Sequence, residues 1–127
     1  MSNRTILLVE DNRDDEFLTL WMLKKAGFTN ITIARDGSEA LTLLHGNKLL
    51  GIREVCAPDI IILDLQLPKI SGLEVLREIR SDERTKDIDV FILTSSNDPK
   101  DRNECCDLGV TAFFSKPPDE SIFQIFL

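Results

Sequence analysis

Short, fully apolar runs alternate with segments of helical spacing along the whole chain. Ile6-Leu7-Leu8-Val9 reads as a strand buried on both faces of a parallel sheet. Asn12 to Asp15 supply cap residues and first-turn acids. Phe17, Leu20, Trp21 and Lys24 then follow at helical spacing, and Gly27 supplies the stop. Ile31-Thr32-Ile33-Ala34 is a second strand, and Asp36-Gly37-Ser38 opens a helix through Ala40, Leu41 and Leu44. Asn47 to Pro58 is the least regular stretch, a longer connection with room for another helical turn. Ile60-Ile61-Ile62-Leu63 is the most apolar strand and is expected at the sheet centre. After the break at Leu67-Pro68, Ser71-Gly72 starts a helix with Leu73, Leu76 and Ile79 on its inner face. Val90-Phe91-Ile92-Leu93 is a fourth strand, and a helix from about Pro99 to Leu108 ends at Gly109. Thr111 to Ser115 is a fifth strand. Lys116-Pro117-Pro118 turns the chain, and Asp119 caps a last helix that has barely begun at Leu127.

Five strands alternating with five helices predict an α/β fold, a doubly wound parallel sheet in one domain spanning 1–127. In such sheets the functional crevice lies outside the carboxyl ends of the strands. The residues that close each strand at that edge are Glu10-Asp11, Asp64, Thr94-Ser95 and Ser115-Lys116. That topology gathers three carboxylates, a hydroxyl and an ammonium in one shallow pocket. Crowded carboxylates repel one another, so at least one pKa should rise. A hard divalent cation relieves the repulsion, and magnesium suits an open site of two or three carboxylates plus water. Asp64 can then act as a carboxylate nucleophile toward phosphorus. Lys116 and the cation would neutralise charge on the transferring phosphoryl oxygens, with the Thr94 hydroxyl offered to one of them.

Each residue also has a plainer explanation. Acids collect near helix N-termini, and that suffices for Asp14, Asp15 and Glu16. Thr94, Ser95 and Ser96 form a helix-capping cluster on the same grounds, and Lys116 alone would be a surface lysine. The arrangement at the strand ends, rather than any single residue, favours the pocket.

Composition narrows the classes. The chain has 127 residues, of which 43% are apolar and 29% charged, an ordinary globular mix. A formal charge of −7 argues against nucleic-acid binding, because phosphate backbones bind basic faces. No apolar run approaches the roughly 20 residues of a membrane span. Met1-Ser2-Asn3-Arg4 leads straight into a strand-like run without a signal-peptide pattern. Cys56, Cys105 and Cys106 lack metal-ligand spacing and read as reduced thiols of a cytoplasmic protein. His45, the only histidine, reads as a surface residue near a helix end.

At these residues the chain resembles the receiver domains of two-component response regulators. The motifs are Leu8-Val9-Glu10-Asp11-Asn12, Leu63-Asp64-Leu65-Gln66-Leu67-Pro68 with Ser71-Gly72, Leu93-Thr94-Ser95, and Ser115-Lys116-Pro117. The resemblance implies a flavodoxin-like sheet in the order 2-1-3-4-5. It implies that Asp64 accepts a phosphoryl group from a sensor histidine kinase. Glu10, Asp11, Asp64 and the Gln66 carbonyl would hold Mg2+, while Thr94 and Lys116 contact the phosphoryl group. Lys116-Pro117 is expected to be cis. The stretch from Asn47 to Asp59 and that from Ser81-Asp82 to Asp89 resemble the small stand-alone regulators that work with phytochrome-type kinases.

Two features depart from the family pattern. Phe113 takes the place of a switch tyrosine, so with Thr94 it forms a switch pair lacking one hydroxyl. The last helix, with Ile122, Phe123, Ile125 and Phe126, is short or truncated, which favours a homodimer through the face from the fourth helix to the last. Output would run through protein contacts, without nucleic acid or membrane. Beyond self-phosphorylation and slow self-dephosphorylation no enzyme activity is expected. A strand-end aspartate phosphatase would need an acid at position 66, where Gln66 stands. A flavodoxin-like cofactor binder would need a glycine- and hydroxyl-rich loop where Glu10-Asp11 stand. A receiver-like adaptor that is never phosphorylated remains open on sequence.

Overall fold

The structure, a computed structural model, describes residues 2–46 and 57–119. Its elements are β1 (Ser2–Val9), α1 (Arg13–Lys25), β2 (Phe28–Ala34), α2 (Gly37–His45), β3 (Ile60–Leu63), α3 (Gly72–Ser81), β4 (Asp89–Thr94), α4 (Pro99–Asp107) and β5 (Ala112–Ser115). All strand pairs are parallel, in the order β2-β1-β3-β4-β5. Four helices lie among the described residues. The fifth, and most of the Asn47 to Pro58 connection, fall outside them, as does Cys56.

Alternation along each strand divides the core between the two sheet faces. Leu7, Val9, Ile61, Leu63, Val90 and Ile92 join Ala40, Leu44, Val75, Leu76, Ile79 and Cys105, side chains of α2, α3 and α4. Ile6, Leu8, Ile60, Ile62, Phe91 and Leu93 meet Met22 and Leu23 of α1. β3 is buried at every residue, as expected of the central strand. The α1 stripe differs from a simple apolar one. Its inward residues are Glu16, Thr19, Met22 and Leu23, whereas Phe17 and Trp21 are 72% and 54% exposed.

Caps fix where the helices begin. Asn12, Asp36, Ser71 and Asp98 each accept a backbone amide from the first turn that follows. Gly27, Gly46 and Gly109 turn the chain with positive φ. β1 and β2 start earlier than their apolar runs, with a register irregularity between Ser2 and Thr5. The bond Lys116-Pro117 is cis.

Candidate functional site

Register brings the pocket together. Val9 pairs with Leu63, so Glu10 and Asp64 leave the sheet side by side. The Asp64 amide donates to the Val9 carbonyl at 3.1 Å, and the Lys116 amide to the Thr94 carbonyl at 2.9 Å. Gly72 is what lets the Asp64 loop fold under itself. Its amide donates to the Leu65 carbonyl at 2.9 Å. A Cβ there would stand 2.2 Å from the Asp64 carbonyl oxygen, so no larger residue fits without a shift.

Lys116 is the hub. Its Nζ lies 2.5 Å from Glu10 Oε1, 2.7 Å from Asp64 Oδ2 and 2.8 Å from Asp15 Oδ2. The lysine, Glu10 and Asp64 side chains are 9%, 3% and 4% exposed, so these ion pairs are shielded from water. Burial alone would push the ammonium down. Its hydrogen bonds to Asp15, Asp64 and Glu10 outweigh that and hold it above the ordinary lysine range. Glu10 is pushed up to about 7, first by burial and then by Asp64, against the pull of Lys116. One carboxylate pKa is therefore raised, as crowding required, although desolvation exceeds repulsion as its cause.

Around this hub runs a cleft of about 410 Å3 lined by Asp11, Asn12, Arg13, Asp15, Asp64, Gln66, Ser95 and Lys116. The Gln66 amide donates to Asp64 Oδ1 at 3.0 Å. The Ser95 hydroxyl donates to Gln66 Oε1, bridging the cleft between the ends of β3 and β4. Thr94 is fully buried and is not among the lining residues. Its hydroxyl accepts the Ser96 amide at 3.2 Å, and the next residue, Ser95, lines the cleft. Phe113 shares a sheet face with Thr94, since Ile92 pairs with Phe113 and Thr94 with Ser115. The Arg102 guanidinium lies 5.3 Å from the Phe113 ring centre.

Three residues depart from the plainer sequence reading. Asp15 is a partner of Lys116 and not only a first-turn acid. Glu16 is buried, its Oε1 3.2 Å from Arg35 Nε. His45 does end a helix, but its Nε2 lies 3.2 Å from Thr85 Oγ1 and 3.6 Å from Asp82 Oδ2 instead of facing water freely. No local pattern separates these acids from Asp14, which is exposed.

The donor set fits a hard divalent cation. Glu10, Asp11 and Asp64 each offer an oxygen, all within 4.8 Å of one another. Two of the three are buried and Asp11 is exposed, so the site is open on one side, as magnesium with its retained waters requires. No nitrogen or sulfur donor belongs to the cluster, which disfavours zinc.

The doubly wound parallel sheet carries an acidic trio and a lysine at its carboxyl edge, where folds of this class place their functional crevice. Residues 6–125 match the response regulator receiver domain, and the chain belongs to that family. The chain is similar to the probable methanogenesis regulatory protein FilR2 of Methanothrix harundinacea (strain 6Ac). The two are 38% identical over 113 residues, 88% of this chain and 71% of that protein. Among solved structures it resembles the bacteriophytochrome response regulator AtBRR, with TM-score 0.82 and 40% identity over 98% of this chain and 90% of that one. It also resembles the phosphorylated cyanobacterial phytochrome response regulator RcpA, with TM-score 0.78 and 36% identity over 98% and 89% of the two chains. No helix among the described residues is long and apolar enough to cross a membrane.

Proposed function

We propose that this chain is a phosphorelay response regulator receiver domain, occupying 1–127, that accepts a phosphoryl group on Asp64 from a sensor histidine kinase. The observation that carries this reading is the place of the Asp64 carboxylate. It lies 2.7 Å from a buried ammonium and within 4.8 Å of two further carboxylates.

In the proposed step an Asp64 oxygen forms a bond to phosphorus and the bond from phosphorus to the donor imidazole nitrogen breaks. The nitrogen keeps the electron pair and is reprotonated. Glu10, Asp11, Asp64 and the Gln66 carbonyl would hold Mg2+. When bound, the ion offsets the carboxylate repulsion and draws charge from the phosphoryl oxygens. Lys116 supplies a fixed ammonium beside the acceptor. The Gln66 amide holds Asp64 Oδ1. Gln66 itself is no acid or base, so the acyl phosphate persists as a signal and the protein turns over no separate substrate. Thr94 and Phe113 form the switch pair that reads the charge change, with the Arg102 guanidinium against the ring in place of a tyrosine hydroxyl.

The likeness to two phytochrome-associated regulators supports a phytochrome-like kinase as partner. Output through protein contacts, self-association, and a cytoplasmic site of action complete the reading. Incubation with acetyl phosphate and MgCl2 should add the mass of one phosphoryl group. That gain should vanish in Asp64→Asn and with excess chelator. A wild-type protein that stays unmodified under these conditions is instead an adaptor that binds partners without phosphorylation.

A further inference from the structure

An ammonium has three N–H donors, and three carboxylates occupy those of Lys116. Two of these carboxylates have other duties in the proposed chemistry: Glu10 holds the cation, and Asp64 becomes an acyl phosphate. Asp15 has neither duty. It lies outside the acidic trio, is 32% exposed, and still lies 2.8 Å from the lysine.

Its place is built by the helix. Asn12 Oδ1 accepts the Asp15 amide at 2.9 Å. This puts Asp15 at the third position of α1, its carboxylate on the cleft wall. Asp14, the neighbouring acid of the same turn, is exposed, and it is neither a partner of Lys116 nor a lining residue. The helix dipole accounts for both acids equally, whereas the tether to Lys116 belongs to Asp15 alone.

We propose that Asp15 is a restraining counter-ion, a positioning residue that holds the Lys116 ammonium toward the first turn of α1 and so slows phosphoryl addition to Asp64. The inference rests on the acceptor reading above. The charge of Asp15 acts in two opposite senses. It adds to the negative field that draws in a divalent cation. It also repels an anionic phosphoryl donor and competes with the phosphoryl oxygens for the lysine N–H groups. Removing that charge should weaken the cation while speeding the transfer, a split that general loss of structure does not produce.

With acetyl phosphate as donor, an Asp64 oxygen bonds to phosphorus and the bond from phosphorus to the bridging oxygen breaks. Acetate leaves with the electron pair. The rate of this step at saturating MgCl2, and Mg2+ affinity by calorimetry, are read in wild type and in Asp15→Asn, Asp15→Ala and Asp14→Asn. Asp15→Asn keeps the size and an acceptor oxygen but loses the charge. Its transfer should be on the order of three- to ten-fold faster and its Mg2+ binding about two- to five-fold weaker, from one unit charge in a partly solvated site. Asp15→Ala should move both readouts the same way, and Asp14→Asn should move each far less. Thermal unfolding of each variant confirms a folded domain. Transfer that is unchanged or slower in both Asp15 variants overturns the proposal, as does an equal effect in Asp14→Asn. Those results leave phosphorylation of the wild type in place. A wild type that takes no phosphate overturns the acceptor reading and this inference together.

Discussion

Gly72 lies against the backbone of Asp64 so closely that a Cβ on it would come within 2.2 Å of the Asp64 carbonyl oxygen and 2.5 Å of the Leu65 Cα. Both atoms are main chain, so neither can swing aside. Gly72→Ala should therefore displace the 64–65 backbone or the start of α3. Overpacking of this kind costs about 1–3 kcal/mol. Urea unfolding should show a loss in that range or above, and acetyl phosphate labelling of Asp64 should fall with it. A stability equal to wild type would mean that the loop relaxes freely.

Arg80 holds the far end of β4. It donates to the carbonyls of Leu108 (2.7 Å), Lys86 (2.8 Å), Ile88 (2.7 Å) and Gly109 (3.1 Å). These bonds tie α3 to the strand's entry and to the end of α4. Arg80→Met keeps much of the stem but strands four acceptors, and should cost about 3 kcal/mol in urea unfolding, given that bonds to charged donors contribute roughly 1.5–3 kcal/mol each and water recovers part. A loss below about 0.5 kcal/mol would show the clamp to be dispensable.

Glu10 sets a pH dependence. Its folded-state pKa of about 7 lies above the unfolded value of about 4.3. The folded protein therefore binds this proton more tightly, and stability falls as pH rises from about 4.3 to about 7. With chelator present, the urea midpoint should drop between about pH 5 and pH 7.5, and Glu10→Gln should flatten that drop. Added Mg2+ should recover the loss near pH 7.5, because the cation takes the deprotonated carboxylate. A drop of the same size in Glu10→Gln would assign it to another group.

The two adjacent cysteines should differ sharply. Cys105 is fully buried in the core and its thiol is pushed up to about 11, first by burial and then by Asp101, Cys106 and Glu104. Cys106 is exposed. Iodoacetamide at about pH 8 should label Cys106 and spare Cys105 in the native state, because the thiolate is the reacting form. Both should be labelled in urea. Peptide mapping that finds Cys105 modified in the native protein would contradict its place in the core.

What the sequence made legible follows from where each residue lies. Glu10, Asp64 and Lys116 directly follow apolar runs that have no alternative to a buried strand, so topology alone puts them at one edge. Asp15 was not separable from Asp14. Both are first-turn acids, and only the rotation of α1 about its axis decides which one meets Lys116. That rotation was itself misleading in sequence, since Phe17 and Trp21 share helical spacing but face outward, and the buried stripe carries Glu16 and Thr19. Thr94 was legible as a strand end. Its bond to the Ser96 amide depends on the turn that follows, which its neighbours do not specify.

Borohydride reduction tests the central claim most directly. An aspartyl phosphate is reduced to homoserine, while free carboxylates are left unchanged, so the modified residue can be read by peptide mass. After acetyl phosphate and MgCl2, homoserine should appear at position 64 in wild type and nowhere in the Asp64→Asn protein. Homoserine at another aspartate, or none in a wild type that retains its fold, would contradict Asp64 as the phosphoryl acceptor.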